Sequence, residues 1–242
     1  MTRNRVAWLG PDDPADAFPD VEQALREPDG LLAAGGDLSS DRLLAAYVRG
    51  VFPWYDDGQP ILWWCPDPRC VLFPDELHVS RRLRQDIRRS QATVEFDNAF
   101  TEVIRECAGE RRTQQGTWIT GDMIRAFEKL HAEGWAHSVE IRDQDELVGG
   151  LYGLCIGKVF FGESMFSARP NASKIAMLAL TRHMLDHGLG LLDCQVVSQH
   201  LLTMGARTVP RREFTQRLDR ACHPCLRHED WPRDAVPVAE LL

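Results

Sequence analysis

Hydrophobic and polar positions divide the second half of the chain into a clear succession of elements. Residues 136–142, 146–155 and 158–167 are rich in Val, Ile, Leu and Phe, and are parted at Arg142–Asp145 and Ile156–Gly157. This pattern predicts three antiparallel strands joined by tight turns. Helical spacing takes over at 171–187, with Asn171 or Ser173 near the N-cap and Gly188 at the stop. A short strand at 191–195 follows. A strand–helix–strand crossover joins parallel neighbours, so the strands on either side of this helix are expected side by side. Residues i and i+2 of a strand share a face, so Asp193 and Gln195 are expected to point the same way. Glu163 would join them at one sheet edge, beside a helix N-terminus whose free N–H groups suit a phosphate or a developing oxyanion.

The first half is more broken. A short helix is expected at 21–26, before the turn at Pro28-Asp29-Gly30. Residues 31–36 lead to a helix start at Asp37-Leu38-Ser39. Leu43, Leu44, Tyr47 and Val48 continue it at helical spacing, and Gly50 ends it. An aromatic loop, Phe52-Pro53-Trp54-Tyr55, a tight turn at Asp56-Asp57-Gly58 and a strand at 61–65 come next. Pro66 and Pro68 suggest a boundary near residue 67, giving a small first domain (1–67) with little stability of its own and a second domain (68–242). Residues 69–73 read as a strand. Ser80 caps a helix in which Leu83 and Ile87 face the core. Arg81, Arg84 and Arg88 share its outer face, with Arg82 and Arg89 beside them. Beyond it lie a strand at 93–96, a helix capped by Asp97-Asn98 and running to about 107, and a polar loop at 111–116. A second helix, capped by Thr120, stops at Gly134. A helix at 198–204, a strand at 207–209 and a Pro-rich, charged tail from His223 complete the chain.

Composition is that of a globular protein, 44% hydrophobic and 26% charged. The net charge of −8 argues against broad coating of nucleic acid but not against a local basic patch. The arginine ridge at 81–89 reads equally as a phosphate-binding surface or as a solvated face balanced by Asp86 and other acids. Seven scattered cysteines make structural disulfides an unattractive reading. Cys222 and Cys225 form the only close pair, and His228 the only extra ligand near it, so these are read as incidental thiols rather than a four-ligand zinc site. The longest uncharged apolar run, 147–157, is too short and Gly-rich to span a bilayer, and no signal-peptide pattern opens the chain. A cytoplasmic monomer without membrane contact is the expectation.

The ordered segments GGDLSSDRLLAAYVRGVFPWY, PILWWCPDPRCVL, GTWIT, GESMFS, NASK, DCQ and HLLTMGARTVPRREF resemble the leucyl/phenylalanyl-tRNA–protein transferase family over roughly residues 18–215. The resemblance implies an α+β protein: a small N-terminal α/β domain that contributes the aromatic loop, followed by a GNAT-like acyltransferase domain. A GNAT-type enzyme using acyl-CoA is a second reading. However, Ser167-Ala168-Arg169-Pro170 stands where a Gln/Arg-x-x-Gly-x-Gly/Ala pyrophosphate loop would be. A non-catalytic RNA- or peptide-binding module is a third. The family reaction moves Leu or Phe from Leu-tRNA or Phe-tRNA to the N-terminal Arg or Lys of an acceptor protein, which marks it for degradation. No cofactor or metal is expected, because the aminoacyl ester is already activated. By resemblance, Asp193, Gln195 and Glu163 are catalytic. Trp54, Trp118, Phe160, Ser164, Met165, Phe166, Leu180 and Met184 hold the aminoacyl group and 3′ end. Arg81, Arg82, Arg84, Arg88 and Arg89 grip the tRNA. Leu180 and Met184 stand where the best-known family pattern has two phenylalanines, so Met joins Leu and Phe as a candidate substrate.

Overall fold

A computed structural model describes residues 6–112, 118–222 and 227–242. The N-terminal region builds a four-stranded sheet from β1 (Ala7–Leu9), β2 (Leu31–Gly35), β3 (Phe52–Pro53) and β4 (Leu62–Trp64), in the order β1-β2-β4-β3. Helix α1 (Ser40–Tyr47) lies between β2 and β3, and Ser39 caps it by accepting the N–H of Arg42. Gly50 takes φ +76° after α1, and a Cβ there would stand 2.6 Å from the Phe214 ring. The expected helix at 21–26 is a single 3-10 turn, Val21–Gln23. It ends because Leu25 and Leu31 are drawn together: the Leu25 N–H donates to the Leu31 carbonyl, and the Gly30 N–H returns to that of Leu25. Residues expected only to lead into α1 form strand β2.

From Arg69 onward the chain builds an eight-stranded sheet. Its elements are β5 (Arg69–Leu72), α2 (Arg81–Arg89), β6 (Thr93–Phe96), α3 (Phe100–Arg112), α4 (Gly121–Ala132), β7 (Ala136–Asp143), β8 (Glu146–Ile156) and β9 (Val159–Ser167). There follow α5 (Ala172–Asp186), β10 (Leu191–Gln195), α6 (Gln199–Thr203), β11 (Arg207–Val209), α7 (Arg211–Ala221) and β12 (Val236–Pro237). The strand order is β11-β5-β10-β9-β8-β7-β6-β12. The β7-β8-β9 meander and the parallel β9–β10 pair across α5 follow the hydrophobic pattern. One apolar cluster unites Leu43, Tyr47, Phe52 and Trp63 with Phe127, Phe161 and Phe214, so the N-terminal sheet shares its core with the rest of the chain. A second cluster holds Leu83 and Ile87 of α2, Ala176 and Leu180 of α5, and Val238 of the tail. Among the described residues, no helix is long and apolar enough to cross a membrane.

Two helix readings change. Asp97 does not cap α3. It adopts φ +59° and turns its carboxylate to the Ser138 N–H (2.9 Å) and to His137 Nδ1 (2.7 Å), and α3 opens with the Val103 N–H on the Ala99 carbonyl. The helix also runs on to Arg112, into the segment read as a polar loop, the rest of which lies largely outside the described residues. Helix α7 was not anticipated. Only Phe214 and Leu218 of its apolar positions recur at i, i+4, among six charged residues, and both are buried. Cys225 lies outside the described residues. Cys222 is buried, which pushes its thiol up to about 12, and Cys65, Cys70, Cys155, Cys194 and Cys222 are free thiols.

Candidate active site

The parallel ladder between β9 and β10 runs only through Leu191–Val159, Leu192–Phe160 and Asp193–Phe161. Beyond that point the two strands part, and a cavity of about 440 Å³ opens in the split. Gly162, Glu163, Ser164 and Met165 line it from β9, and Cys194 and Gln195 from β10. Met177 and Leu180 of α5 also line it, as do the indoles of Trp54 and Trp118. Gly153 sits at a register shift in β8 and lets β9 approach; a Cβ there would stand 2.1 Å from the Phe161 carbonyl oxygen.

Glu163 is the ionisable carboxyl of this cavity. Its Oε1 accepts the Tyr47 hydroxyl at 2.6 Å and the Gln195 side-chain amide at 2.6 Å. Its Oε2 is buried without a partner among the described residues. Burial pushes the carboxyl up to about 7, against the two donors on Oε1, and the nearby charge of Asp193 pushes the same way. Tyr47 reaches Glu163 from α1, so the N-terminal region supplies part of the site. Its hydroxyl is held well above its ordinary range by burial and by the adjoining carboxylate.

Asp193 and Gln195 do not follow the simple alternation expected of a strand. A bulge separates them in the pairing with β5, and Gln195 adopts φ +60°, a left-handed conformation costing a non-glycine residue about 1–2 kcal/mol. The bend brings the Gln195 N–H onto Asp193 Oδ1 at 2.9 Å and frees its carboxamide to meet Glu163. Asp193 is fully buried and does not line the cavity. Both its oxygens are taken by Arg69, at 2.8 and 2.7 Å. Arg69 is also fully buried, with its guanidinium 4.7 Å from the centres of the Phe52 and Phe214 rings. Burial disfavours its charge, but Asp193 outweighs that penalty and its pKa is raised. The resemblance implies a catalytic role for Asp193, but its carboxylate is closed off from the cavity by burial and by Arg69, and it holds the bent backbone of Gln195 instead.

The remaining expected residues fall into three groups. Trp54, Trp118, Phe160, Ser164, Met165 and Leu180 line the cavity together with Glu163 and Gln195. Met184 and Phe166 do not. Met184 is sealed in the core one turn beyond Leu180, and Met177, one turn before, occupies the wall instead. Phe166 packs over Gly150 of β8. Arg81, Arg82, Arg84, Arg88 and Arg89 are all exposed on α2, and among the described residues none forms an ion pair. The N-terminus of α5 is not at the cavity. Asn171 caps nothing with its side chain and donates to Asp86, while Ser167 Oγ accepts the Ser173 N–H. The helix start beside the cavity is that of α6, through Ser198, His200 and Leu201. Sequence reasoning missed Tyr47 and Arg69 as site residues. An arginine opening the buried β5 strand was the available signal for Arg69; Tyr47 carried none beyond its helical spacing.

A cavity lined by two indoles and aliphatic side chains, with a protonatable carboxyl and a carboxamide in its wall, can hold an apolar group beside an acid–base pair, as a transferase of apolar acyl groups requires. The family model described as "Leucyl/phenylalanyl-tRNA protein transferase" matches residues 71–219, and that of its N-terminal domain matches residues 36–67. A leucyl/phenylalanyl-tRNA–protein transferase of Pseudomonas syringae pv. syringae (strain B728a) is 56% identical over 218 residues, covering 90% of this chain and 92% of the relative. One of Stutzerimonas stutzeri (strain A1501) is 56% identical over 213 residues, 88% of this chain and 93% of its own. The chain belongs to the leucyl/phenylalanyl-tRNA–protein transferase family. Among solved structures, the C-terminal domain of a putative lysylphosphatidylglycerol synthetase from Agrobacterium fabrum covers 71% of this chain and 57% of its own at 9% identity and a TM-score of 0.38, too slight a likeness to bear on function.

Proposed function

We propose that this protein transfers leucine or phenylalanine, and also methionine, from aminoacyl-tRNA to the N-terminal Arg or Lys of acceptor proteins in the cytoplasm, creating an N-terminus that marks them for degradation. The observation that carries this reading is the Glu163 carboxyl set in one mainly apolar cavity with Trp54 and Trp118. The aminoacyl side chain occupies the slot. The acceptor's α-amine attacks the ester carbonyl, the C–N bond forms, and the C–O bond to the terminal ribose breaks. One proton must travel from the amine nitrogen to the departing ribose oxygen. A carboxyl with a pKa of about 7 can take that proton and release it in the same cycle. The α-amine, with an ordinary pKa of roughly 7.7–8.0, is partly neutral at cell pH, so positioning supplies much of the remaining acceleration. Gln195 uses one amide hydrogen on Glu163 and keeps the other for the carbonyl oxygen as it gains charge. Asp193 and Arg69 act as positioning residues behind it.

The exposed arginines of α2 receive the phosphates of the acceptor arm. The segment before α2 docks on the end of α6, where the His78 N–H donates to the Met204 carbonyl, and the start of α6 lines the cavity. A guanidinium ridge therefore lies one element away from the slot. The preference for Arg or Lys acceptors rests on the family. The decisive assay supplies radiolabelled leucyl-tRNA and a peptide beginning with Arg. Label is expected in the peptide, and not from seryl-tRNA. Absence of transfer, or equal use of seryl-tRNA, would refute the assignment.

A further inference from the structure

A second group of ligating atoms stands apart from the cavity. His183 and His187 are four residues apart on the last turns of α5, which places their rings on one side of the helix with centroids 4.3 Å apart. The tail passes over them and sets the ring of His228 at 5.0 Å from each. The Nε2 atoms of His183 and His228 are 2.9 Å apart, and one ring nitrogen from each of the three residues lies within 4.8 Å of the others. His183 is buried, His228 half-buried and His187 exposed, so the cluster is walled by protein on one side and open on the other.

The surroundings fix the rings in a ligating form. His187 Nδ1 lies 2.9 Å from the carbonyl oxygen of His183. A carbonyl only accepts, so Nδ1 carries the hydrogen and Nε2 keeps its lone pair, the same outer hydrogen bond that orients metal-bound histidines. Trp231 stacks on His183 at 4.5 Å, and its indole N–H donates to the His228 carbonyl at 3.0 Å. Phe96 packs against the His183 ring as well, at 5.5 Å.

We propose that His183, His187 and His228 bind one divalent transition-metal ion of the zinc class, with water at the fourth position. Three imidazole donors suit zinc, copper or nickel and not calcium or magnesium. A tetrahedral zinc with Zn–N of about 2.0–2.1 Å needs nitrogens about 3.3 Å apart. The present spacings, from 2.9 Å to within 4.8 Å, bracket that value, and small ring rotations close the set. The ion ties the tail to α5, and α5 is the helix whose Met177 and Leu180 wall the aminoacyl cavity. The tail then returns as β12 to the sheet edge against β6. The ion is thus a staple of the fold, with no part in acyl transfer.

The test uses the untagged full-length protein, stripped with a chelator and dialysed. Calorimetric titration with Zn²⁺ should give one ion per chain, and Zn²⁺ should raise the thermal midpoint. Co²⁺ should give visible absorption of tetrahedral strength without a thiolate charge-transfer band in the near ultraviolet. His187→Ala, at an exposed position that leaves the core intact, and His228→Ala should each weaken binding by about 100-fold or more, beyond the usual outer-shell effect. No stoichiometric uptake at micromolar Zn²⁺ would overturn the proposal and leave an imidazole–imidazole hydrogen bond. So would unchanged affinity in His187→Ala, or a thiolate band placing the ion on cysteines.

Discussion

Replacing Glu163 by glutamine separates the proton chemistry of the cavity from its shape. The wild-type carboxyl is pushed up to about 7 by burial, from an ordinary 4.5. Between these values the folded protein keeps a proton on Glu163 that the unfolded chain has already released, so this group's contribution to stability is greatest at low pH and is lost as pH rises from 4.5 through 7. At about 1.36 kcal/mol per pH unit, the gap amounts to roughly 3 kcal/mol. The substituted carboxamide cannot ionise but still offers an oxygen to the Tyr47 hydroxyl and the Gln195 amide. The stability difference, variant minus wild type, should therefore move in favour of Glu163→Gln by roughly 3 kcal/mol between pH 4 and pH 8.5. Glu140, also pushed up to about 7 by burial, is present in both proteins and cancels. Urea denaturation across this pH range measures the difference. At the same time, transfer of leucine to an Arg-initiated peptide should fall about 10²–10⁴-fold, the usual worth of a positioned acid–base group. A difference that stays flat with pH would show that Glu163 is not held protonated. An unchanged transfer rate would remove it from the proton path.

Trp54 is 40% exposed, so Trp54→Ala should cost little stability while lowering kcat/KM for leucyl transfer about 10–100-fold, mainly through KM; equal use of all donors by the wild type would contradict the slot. Arg69→Met leaves Asp193 buried and unpaired, and should cost about 3–5 kcal/mol in urea denaturation. Adding Asp193→Leu should recover much of that stability but not the activity, because the Gln195 N–H then has no acceptor. Replacing both Arg84 and Arg88 by Glu should weaken aminoacyl-tRNA binding and flatten the log–log salt slope by about 2; an unchanged slope would take the ridge out of the mechanism. We also propose that residues 1–67 form a module that depends on the remainder. A fragment of these residues should lack a cooperative thermal transition, because Leu43, Tyr47, Phe52 and Trp63 lose the partners that bury them.

Strands β7, β8 and β9, helix α5 and the Ser80 and Thr120 caps were legible because each rests on interactions within a few residues: side-chain period, turn chemistry and a hydroxyl beside a free N–H. The family motifs likewise pointed to Trp54, Trp118, Glu163 and Gln195, which line one cavity. Only the tertiary structure decided that Asp193 faces Arg69 across 124 positions of sequence, or that Tyr47 meets Glu163 across 116. It alone made Met177 rather than Met184 the wall of the slot, since the face α5 turns to the cavity depends on how the helix lies across the sheet. Local sequence specifies where a strand or helix forms, because backbone hydrogen bonds and side-chain periodicity are short-ranged. Which charges are buried against one another is settled only when the layers pack, because desolvation belongs to the assembled core and not to any stretch of chain.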